Sequence, residues 1–258
     1  EYCPEIRPAA GPVGQPATGS IISHFHRRNA MFSIQPSTTD TQITRRHSVR
    51  AYKSDPVSSE LLRHLLEMAA HAPSTTNSQP WKSYVLTGDS LKNLTHAVCT
   101  AFDTEPDKHH AEYPYYPDPP LEPYLSRRRK VGQNMYRLLD IAREDREKRR
   151  LQQRRNLEFF GAPAGILFTI HRQLPAINLI DYGAFFQTLM LSAKSHALDT
   201  CLQAYWSDYH RIIRDILPIT PDEVVIAGMA IGYADPAAPV NQLITEREPV
   251  SSFATFLD

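Results

Sequence analysis

Residues 182–198 limit the possible folds of this chain more than any other segment. They have the spacing of a helix, but apolar side chains occur on nearly every side of it. These apolar residues are Ala184, Phe185, Phe186, Leu189, Met190, Leu191 and Ala193. A helix without a polar face has to be covered by protein all the way round. The sequence therefore predicts that this helix is buried, either by its own domain or by a partner chain.

Further apolar runs predict the strands of a sheet. Ala164–Ile170 and Val224–Ile231 are continuous apolar stretches, the pattern of strands that are covered on both faces. Trp81–Thr87 and Thr200–Ala204 have the pattern of shorter strands. Helices are predicted between them, at Leu61–Ala69 after an N-cap at Ser58, at Ser90–Ala101 and after an N-cap at Ser207. This mixture of strands and helices predicts an α+β or α/β fold in three layers.

The chain has 258 residues, which is enough for one substantial core. Residues 1–44 begin with a Pro-, Gly- and Ala-rich stretch and lack periodicity, which predicts a mostly disordered N-terminal extension. Residues 45–258 are predicted to form a single domain. An insertion at 103–155 is Pro- and Tyr-rich through Pro123 and then reads as a charged helical stretch over Tyr124–Arg155. Insertions of this length more often form a lid or wall over a site than a simple connection.

The composition argues against a polyanionic or membrane partner. Lys+Arg and Asp+Glu are 28 each, so no net charge attracts nucleic acid or anionic lipid. The apolar stretches are interrupted before the roughly 20 residues that a membrane span needs. The three cysteines are scattered without a C-x-x-C pair, which fits a reducing compartment. We therefore expect a soluble, cytoplasmic protein.

Arginines in two distant segments are candidates for binding a phosphate group. Arg46-His47-Ser48-Val49-Arg50 contains two guanidinium groups and a hydroxyl group. A further arginine, Arg247, lies in the polar segment T-E-R-E-P near the C-terminal end. Guanidinium forks match pairs of phosphate oxygens, and a hydroxyl adds a neutral donor. Taken alone, however, the first segment would more often be a solvated basic turn.

A polar loop, A-P-S-T-T-N-S-Q-P-W over residues 72–81, is the third candidate segment. Its small hydroxyl and amide side chains can bind a polyhydroxylated or heteroaromatic ligand, and its prolines and tryptophan favour a stiff loop. It is also compatible with a purely structural loop that joins a helix to a strand.

Five motifs in order resemble the FMN-dependent nitroreductase family, with most similarity to its nitrobenzoate-reductase-like branch. They are R-R-H-S-V-R-A-Y, A-P-S-T-T-N-S-Q-P-W, F-F-G-A-P-A-G-I-L-F, L-D-T-C-L-Q-A and T-E-R-E-P-V, and they extend from Arg45 to about Phe256. Five ordered matches are far more specific than any one of them. The resemblance implies a three-layer α/β/α sandwich with a central mixed, mostly antiparallel sheet. It also implies an intertwined homodimer with FMN at the interface.

The resemblance also implies roles for individual residues. The cofactor-binding set is Arg46, His47, Ser48, Arg50, Pro73, Ser74, Thr75, Asn77, Gln203, Ala204 and Arg247. Within it, Arg46, Ser48 and Arg247 would hold the FMN phosphate, and Arg50 would lie near the flavin N1/O2 edge. The residues from Pro73 to Asn77 would reach the flavin from the partner subunit.

The strand-end turn at Gln203 and Ala204 would direct a backbone N–H toward flavin N5. Gln203 stands where many family members carry an acidic residue, and Ala204 where many carry glycine. Arg155 and Asn156 are both candidates for the family's lysine or asparagine partner of the flavin.

The activity implied by the resemblance needs no catalytic side chain. Hydride would pass from NAD(P)H to flavin N5 and then to a nitroaromatic or another small electron-poor aromatic, in a ping-pong scheme. The chain contains no G-x-G-x-x-G, which argues against a dedicated Rossmann site for the dinucleotide, and it contains neither HExxH nor GxSxG. The sequence is compatible with NADH and with NADPH. Sibling activities remain alternatives (reductive dehalogenation, flavin fragmentation, enoate or quinone reduction), as does a flavin-binding protein without turnover.

Three local features have alternative interpretations. His109-His110 could suggest a metal site, but adjacent histidines lack ligand spacing, and no metal is expected. The basic runs 127–130 and 149–150 could suggest nucleic-acid binding, but nearby acidic residues favour a solvated helix face. The aromatic residues between Tyr113 and Tyr124 either line a substrate channel or pack the insertion.

Overall fold

An antiparallel sheet lies at the centre of the part that the structure, a computed structural model, describes, which is residues 35–257. Its strands are Lys82–Thr87 (β1), Ala164–His171 (β2), Asp199–Gln203 (β3) and Glu223–Gly232 (β4), in the spatial order β1-β2-β4-β3. The helices are Thr38–Arg45 (α1), Ser59–Ala69 (α2), Gly88–Thr104 (α3), Tyr124–Leu138 (α4), Arg146–Arg154 (α5), Ile177–Ser195 (α6) and His210–Ile216 (α7). Within residues 35–257, no helix is both long and apolar enough to cross a membrane.

The two central strands, β2 and β4, are the two continuous apolar runs of the sequence, and both are buried almost throughout. All three strand pairs are antiparallel. The parallel element of the sheet is a single bridge, in which Ser48 pairs with Thr200 beside β3. The α+β class with a mostly antiparallel sheet is therefore confirmed.

Helices cover both faces of the sheet. On one face, α3 and α7 pack with a stacked pair of rings, Phe159 and Trp206, whose centroids are 4.2 Å apart. Gly165 on β2 makes room for this pair, because a Cβ atom there would lie 2.6 Å from the Phe159 ring. On the other face, α2 and α6 pack against the sheet. Two apolar clusters thus sandwich the strands, as a three-layer fold requires.

The helix α6 is covered on one side within the described part of the chain. Tyr182, Phe185 and Leu189 are at most 2% exposed, whereas Leu179 is 47% and Ile180 67% exposed. The first turns of α6 therefore present apolar side chains that this protomer does not cover. The sequence prediction of complete burial holds only if a partner chain supplies the remaining cover.

The helices α6 and α7 start at other residues than the sequence predicts. α6 begins at Ile177, five residues before its predicted start, because the polar Asn178 and Asp181 are buried against a loop and interrupt the apolar pattern. The N-cap predicted at Ser207 is wrong: its hydroxyl donates to the Ala204 carbonyl (2.7 Å) within a 3-10 turn, and α7 starts at His210.

The charged stretch Tyr124–Arg155 is not one helix. It is broken between α4 and α5, where Asp140 adopts a positive φ of 51° and the Asp145 side chain caps α5 by accepting from the Lys148 N–H. The charge pattern of the sequence gave no sign of this break, because basic residues lie on both sides of it.

The predicted N-terminal extension falls partly outside the described residues. Residues 1–34 lie outside them, whereas Thr38–Arg45, within the predicted extension, form α1 with a capping box between Ser37 and Asp40. The boundary between an extension and a domain at residue 45 stays a prediction.

Candidate functional site

The segment 46–50 is extended and lies along the outer edge of β3. The Val49 N–H donates to the Thr200 carbonyl (3.1 Å), and the Val49 side chain is completely buried. Successive side chains of an extended segment point to opposite sides, so Arg46, Ser48 and Arg50 share the side opposite to Val49. The alternation R-H-S-V-R therefore places two guanidinium groups and a hydroxyl on one face.

Arg46 and Arg247 lie close enough for their positive charges to act on each other, although they are 201 positions apart in the sequence. The pKa of Arg46 is lowered, first by burial and then by the positive charge of Arg247. Arg247 is held by its own loop, because its Nη1 donates to the Thr245 carbonyl (3.0 Å) and hydroxyl (2.7 Å). Within residues 35–257, neither arginine forms an ion pair with a carboxylate. Two like charges without a carboxylate between them fit an anionic ligand such as a phosphate.

The buried thiol of Cys201 on β3 marks where these side chains converge. Burial raises its pKa, while the nearby Arg50, the Ser48 hydroxyl and Arg46 act in the opposite direction. Burial therefore keeps Cys201 protonated beneath the site, where it serves as packing for Ser48 and Arg50.

Asn241, which the sequence gave no reason to single out, fixes the segment from the other side. Its side-chain oxygen accepts from the Arg50 N–H (2.8 Å), and its Nδ2 donates to the carbonyls of Ala51 (2.8 Å) and Asp235 (2.9 Å). Because two of its partners, Arg50 and Ala51, lie about 190 positions away, no local pattern could have identified this role.

The other end of β3 opens into an apolar pocket. Ala204 lines it together with Leu179, Gly183 and Phe186 of α6, and its volume is about 350 Å³. Tyr113 from the insertion forms another part of the wall, with its hydroxyl donating to the Ile226 carbonyl. The insertion thus contributes to this pocket, as a lid or wall would.

The two ends of β3 connect the arginine group with this pocket. Thr200 and Ala204 are four residue steps apart, which in an extended strand is about 13 Å. The residue before Ala204, Gln203, turns its side chain inward, where it is 3% exposed and donates to the Asn156 carbonyl (2.6 Å). The Gln203 side chain therefore braces the strand end from behind. The Arg155 guanidinium donates a hydrogen bond to the Phe160 carbonyl (3.3 Å).

The loop 73–80 is attached to the N-terminal part of α6. Asp181 accepts from the Thr75 N–H (3.0 Å) and hydroxyl (3.1 Å), and Asn178 donates to Asp181 (2.8 Å). Thr76, Asn77 and Gln79 have positive φ angles. A left-handed backbone in non-glycine residues is strained and persists only where contacts hold it, which these hydrogen bonds do.

Within one protomer, the structure does not bring this loop to the arginines. Asp181 lies at the loop end of α6, and Lys194 at its other end pairs with Asp199 at the start of β3 (2.6 Å). Asp181 and Lys194 are thirteen residue steps apart, which corresponds to about 20 Å of helix. The structure therefore gathers Arg46, Ser48, Arg50 and Arg247 and leaves Pro73, Ser74, Thr75 and Asn77 elsewhere.

The rings of His47 and His109 each contact another group of the chain. The His47 Nδ1 lies 3.1 Å from the Arg45 carbonyl, so this ring contacts its own backbone. His109 packs against the Tyr209 ring with 4.9 Å between centroids. Residues 35–257 contain no group of three side chains placed to hold a metal ion.

Comparison with known proteins gives consistent matches along the domain. The family model described as "Nitroreductase family" matches residues 43–233. A 4-nitrobenzoate reductase from Nocardioides sp. (strain LMS-CY) is 40% identical over 84% of this chain and 89% of its own length. A nitrobenzene nitroreductase from Ectopseudomonas oleovorans is 38% identical over 84% of this chain and 96% of its own length.

Solved structures agree. The crystal structure of the FMN and NADPH-dependent nitroreductase NfnB from sphigopyxis sp. strain HMH matches with a TM-score of 0.83 and 33% identity, over 86% of this chain and 100% of that chain. The FMN-dependent NfnB from Mycobacterium smegmatis, solved in complex with NADPH, matches with a TM-score of 0.81 and 31% identity, over 85% and 97%.

Proposed function

Because this chain belongs to the nitroreductase family, we propose that it is an FMN-dependent oxidoreductase that transfers electrons from NAD(P)H to a nitroaromatic acceptor. The observation that carries the proposal is that the positive charges of Arg46 and Arg247 act on each other, with no ion-pairing carboxylate for either among the described residues. A phosphate group bound there would relieve their repulsion and would account for two arginines converging from opposite ends of the chain.

Each residue of the arginine group has a proposed part in holding FMN. Arg46, Ser48 and Arg247 would bind the phosphate, with His47 beside them. Arg50, fixed through its backbone by Asn241, would place its positive charge near the pyrimidine edge of the flavin. Bound FMN supplies hydride acceptance at N5 and electron release to the second substrate.

At the other end of β3, the chain itself would orient the flavin ring and keep water away from it. The backbone at Gln203 and Ala204 is proposed to face flavin N5, and the inward Gln203 side chain keeps that strand end in place. The apolar side chains around Ala204 would exclude water from the ring, and both substrates would use this face in turn. No side chain is required as an acid, base or nucleophile.

A second copy of the chain is proposed to complete the site. The exposed apolar residues at the start of α6, Leu179 and Ile180, need a partner to cover them, and so do Phe253 and Phe256, which are 72% and 81% exposed. In a homodimer, Pro73, Ser74, Thr75 and Asn77 would reach the flavin bound by the other copy. This arrangement would explain why one protomer separates the loop from the arginines.

The proposed acceptor class follows the relatives, whose names include nitrobenzene and 4-nitrobenzoate as substrates. A flat electron-poor ring fits an apolar pocket that an insertion residue, Tyr113, helps to form. The proposed location is the cytoplasm, where Cys99 and Cys201, both buried and unpaired, would stay reduced.

The test measures FMN content and NAD(P)H consumption with 4-nitrobenzoate for the full chain and for Arg46→Gln, Arg247→Gln and Arg211→Gln. Arg211 is an exposed arginine on α7 and serves as the matched control. Loss of one charge-assisted phosphate contact should weaken FMN binding about ten- to a hundredfold. A colourless protein that ignores added FMN, or equal FMN affinity in all variants, would contradict the proposal.

A further inference from the structure

The apolar pocket at Ala204 has a wall without any charged side chain. Apart from two tyrosines, Tyr113 and Tyr182, the wall consists of side chains that have no polar atom, such as Phe186, Leu202 and Ala204. Within residues 35–257, no Lys, Arg, His, Asp or Glu side chain lines it. Its volume of about 350 Å³ suits a ligand with a single aromatic ring. The pocket therefore offers such a ring apolar contacts and no ion pair.

The hydroxyl groups of the two tyrosines are already used by the fold. The Tyr113 hydroxyl donates to the Ile226 carbonyl. The Tyr182 hydroxyl accepts from the Lys82 N–H (2.7 Å) and donates to the Thr169 carbonyl. A hydroxyl has one proton to donate. Neither tyrosine can therefore donate to an anionic ligand without giving up a hydrogen bond of the fold.

The charges that act on this wall are negative. Burial raises the pKa of Tyr113 and of Tyr182, and a carboxylate adds to each shift, Asp208 at Tyr113 and Glu223 at Tyr182. Glu223 is paired with Lys82 (2.6 Å), whereas no cationic side chain of the described part lies within 4.0 Å of an Asp208 oxygen. An anion in the pocket would be repelled by Asp208, because like charges raise each other's energy.

The cations of the site lie at the other end of β3. Arg46 and Arg50 flank the Thr200 end, and about 13 Å of strand from there to Ala204 is too far for an ion pair. The loop that a second copy is proposed to add, residues 73–80, reads P-S-T-T-N-S-Q-P and has no charged residue. The proposed assembly therefore brings no counter-ion to the pocket either.

The proposed acceptor class includes neutral nitroarenes and nitrobenzoates, which differ by one ionised group. The nitro group takes two electrons and two protons from the reduced flavin and becomes a nitroso group and water. A carboxylate elsewhere on the ring takes no part in these bond changes. It has to leave water to enter the pocket, however, and without a counter-ion this step is unfavourable.

We infer that this pocket selects uncharged nitroarenes, such as nitrobenzene and nitrobenzoate esters, and accepts ring carboxylates such as 4-nitrobenzoate far less efficiently. The inference rests on the proposed function, because it specifies the acceptor of that activity. It makes the uncharged wall, and not the shape of the ring, the main determinant of specificity among nitroarenes with one ring.

The kinetic experiment follows anaerobic reoxidation of the flavin in the pre-reduced, FMN-loaded full chain by nitrobenzene, methyl 4-nitrobenzoate and 4-nitrobenzoate. Each rate constant is divided by that for free reduced riboflavin, which corrects for the electron affinity of the acceptor. The corrected constant should be at least about tenfold lower for 4-nitrobenzoate than for its methyl ester, whereas nitrobenzene should resemble the ester. Equal corrected constants for 4-nitrobenzoate and its ester would overturn the inference.

A cation introduced into the wall should relax this selection. Leu202 lines the pocket and is 38% exposed, so Leu202→Lys would add an ammonium group there. The rate constant for 4-nitrobenzoate relative to its ester should rise about tenfold. Val85→Lys, on β1 outside the pocket and 40% exposed, is the matched control and should leave this ratio unchanged. Because a ratio is compared, a general loss of activity cancels. An unchanged ratio in Leu202→Lys, or an equal rise in Val85→Lys, would contradict the assignment to this pocket.

A binding experiment gives a readout without turnover. Calorimetry of the oxidised, FMN-loaded protein should show methyl benzoate binding at least about tenfold more tightly than benzoate, and Leu202→Lys should reduce the difference. Equal binding of the two refutes the inference even when nitroarenes are reduced, and the proposed function then stands. A reduced flavin that none of the three nitroarenes reoxidises refutes the proposed function itself, and with it the inference.

Discussion

At the scale of single residues, Asn241 does more for the arginine group than its ordinary sequence context suggests. One side chain satisfies the Arg50 N–H and two backbone carbonyls, those of Ala51 and Asp235. Buried backbone groups without partners cost more than a formed hydrogen bond contributes. Asn241 therefore keeps the extended segment at the correct distance from the chain that follows β4.

Asn241→Ala should lower the free energy of unfolding by about 2 kcal/mol, because three hydrogen bonds are lost. It should also weaken FMN binding, since Arg50 loses its backbone anchor. Urea unfolding and flavin fluorescence measure the two effects. The neighbouring exposed residue gives the control, Gln242→Ala. If the two variants behave alike, Asn241 does not position the segment.

Glu223 is a buried carboxylate with a very different role. It accepts from the Lys82 ammonium (2.6 Å), the Tyr84 hydroxyl (2.8 Å) and the Thr220 hydroxyl (2.9 Å). Burial alone raises its pKa, but these hydrogen bonds and one from Thr169 outweigh it and lower the pKa to about 2. The network joins β1, β2 and the start of β4, far from the proposed FMN site.

A pH dependence of stability follows from Glu223. Its pKa is 4.5 in the absence of the fold and about 2 in the fold, so its stabilisation is complete above pH 4.5 and is lost as the pH falls toward 2. The loss is on the order of 3 kcal/mol. Glu223→Gln should be less stable at pH 6, and its deficit should shrink between pH 4.5 and 2.5. A deficit that does not change with pH would contradict this account.

Sequence patterns predicted the arginine group but predicted neither Asn241 nor Glu223. The alternation R-H-S-V-R and the ordered motifs identified Arg46, Ser48, Arg50 and Arg247, and the structure brings them together. Most hydrogen-bond partners of Asn241 and of Glu223 are distant in sequence, so neither residue has a local signature. The roles of the eleven predicted cofactor residues stay predictions.

At the scale of elements, the insertion is fastened to the rest of the chain by charges. Glu112 accepts from Arg172 (2.8 Å) and Arg214 (2.9 Å), and the Tyr115 hydroxyl donates to Asp208 (3.0 Å). α4 and α5 add ion pairs of their own. The pocket wall formed by Tyr113 therefore depends on polar contacts on both sides of it.

Glu112→Gln should loosen the Pro- and Tyr-rich part of the insertion without unfolding the sheet. Two arginines lose the carboxylate that they share, so cleavage by a nonspecific protease within 105–123 should accelerate severalfold. Glu105→Gln, which removes only an exposed pair with Lys108, is the control. Unchanged cleavage in Glu112→Gln would show that other contacts suffice to hold the segment.

Helices and strands with a clear hydrophobic pattern could be predicted from the sequence, whereas the break between α4 and α5 could not. β2 and β4 follow from their apolar runs, and α2 from its N-cap at Ser58, which accepts from the Leu61 N–H (3.2 Å). The break between α4 and α5 depends on the backbone of Asp140 and the cap at Asp145, and charged residues occur on both sides of these two positions. The composition of this stretch therefore did not reveal the break.

At the scale of the whole molecule, the exposed side of α6 is the decisive feature for assembly. Ile180→Asp places a charge in the proposed interface and should convert a dimer into a monomer with much weaker FMN binding. Leu151→Asp, on the exposed side of α5, is the control and should stay dimeric. Light scattering after size-exclusion chromatography measures the mass. A wild-type monomer that binds FMN, or a dimeric Ile180→Asp variant, would contradict the proposed assembly.

The arginine pair also sets an order of events during synthesis. A ribosome makes Arg46 two hundred residues before Arg247, and by then all four strands and both apolar clusters have been translated. The complete arginine pair therefore exists only near the end of translation, so FMN would be held by both arginines only after the segments of the sheet have been synthesised.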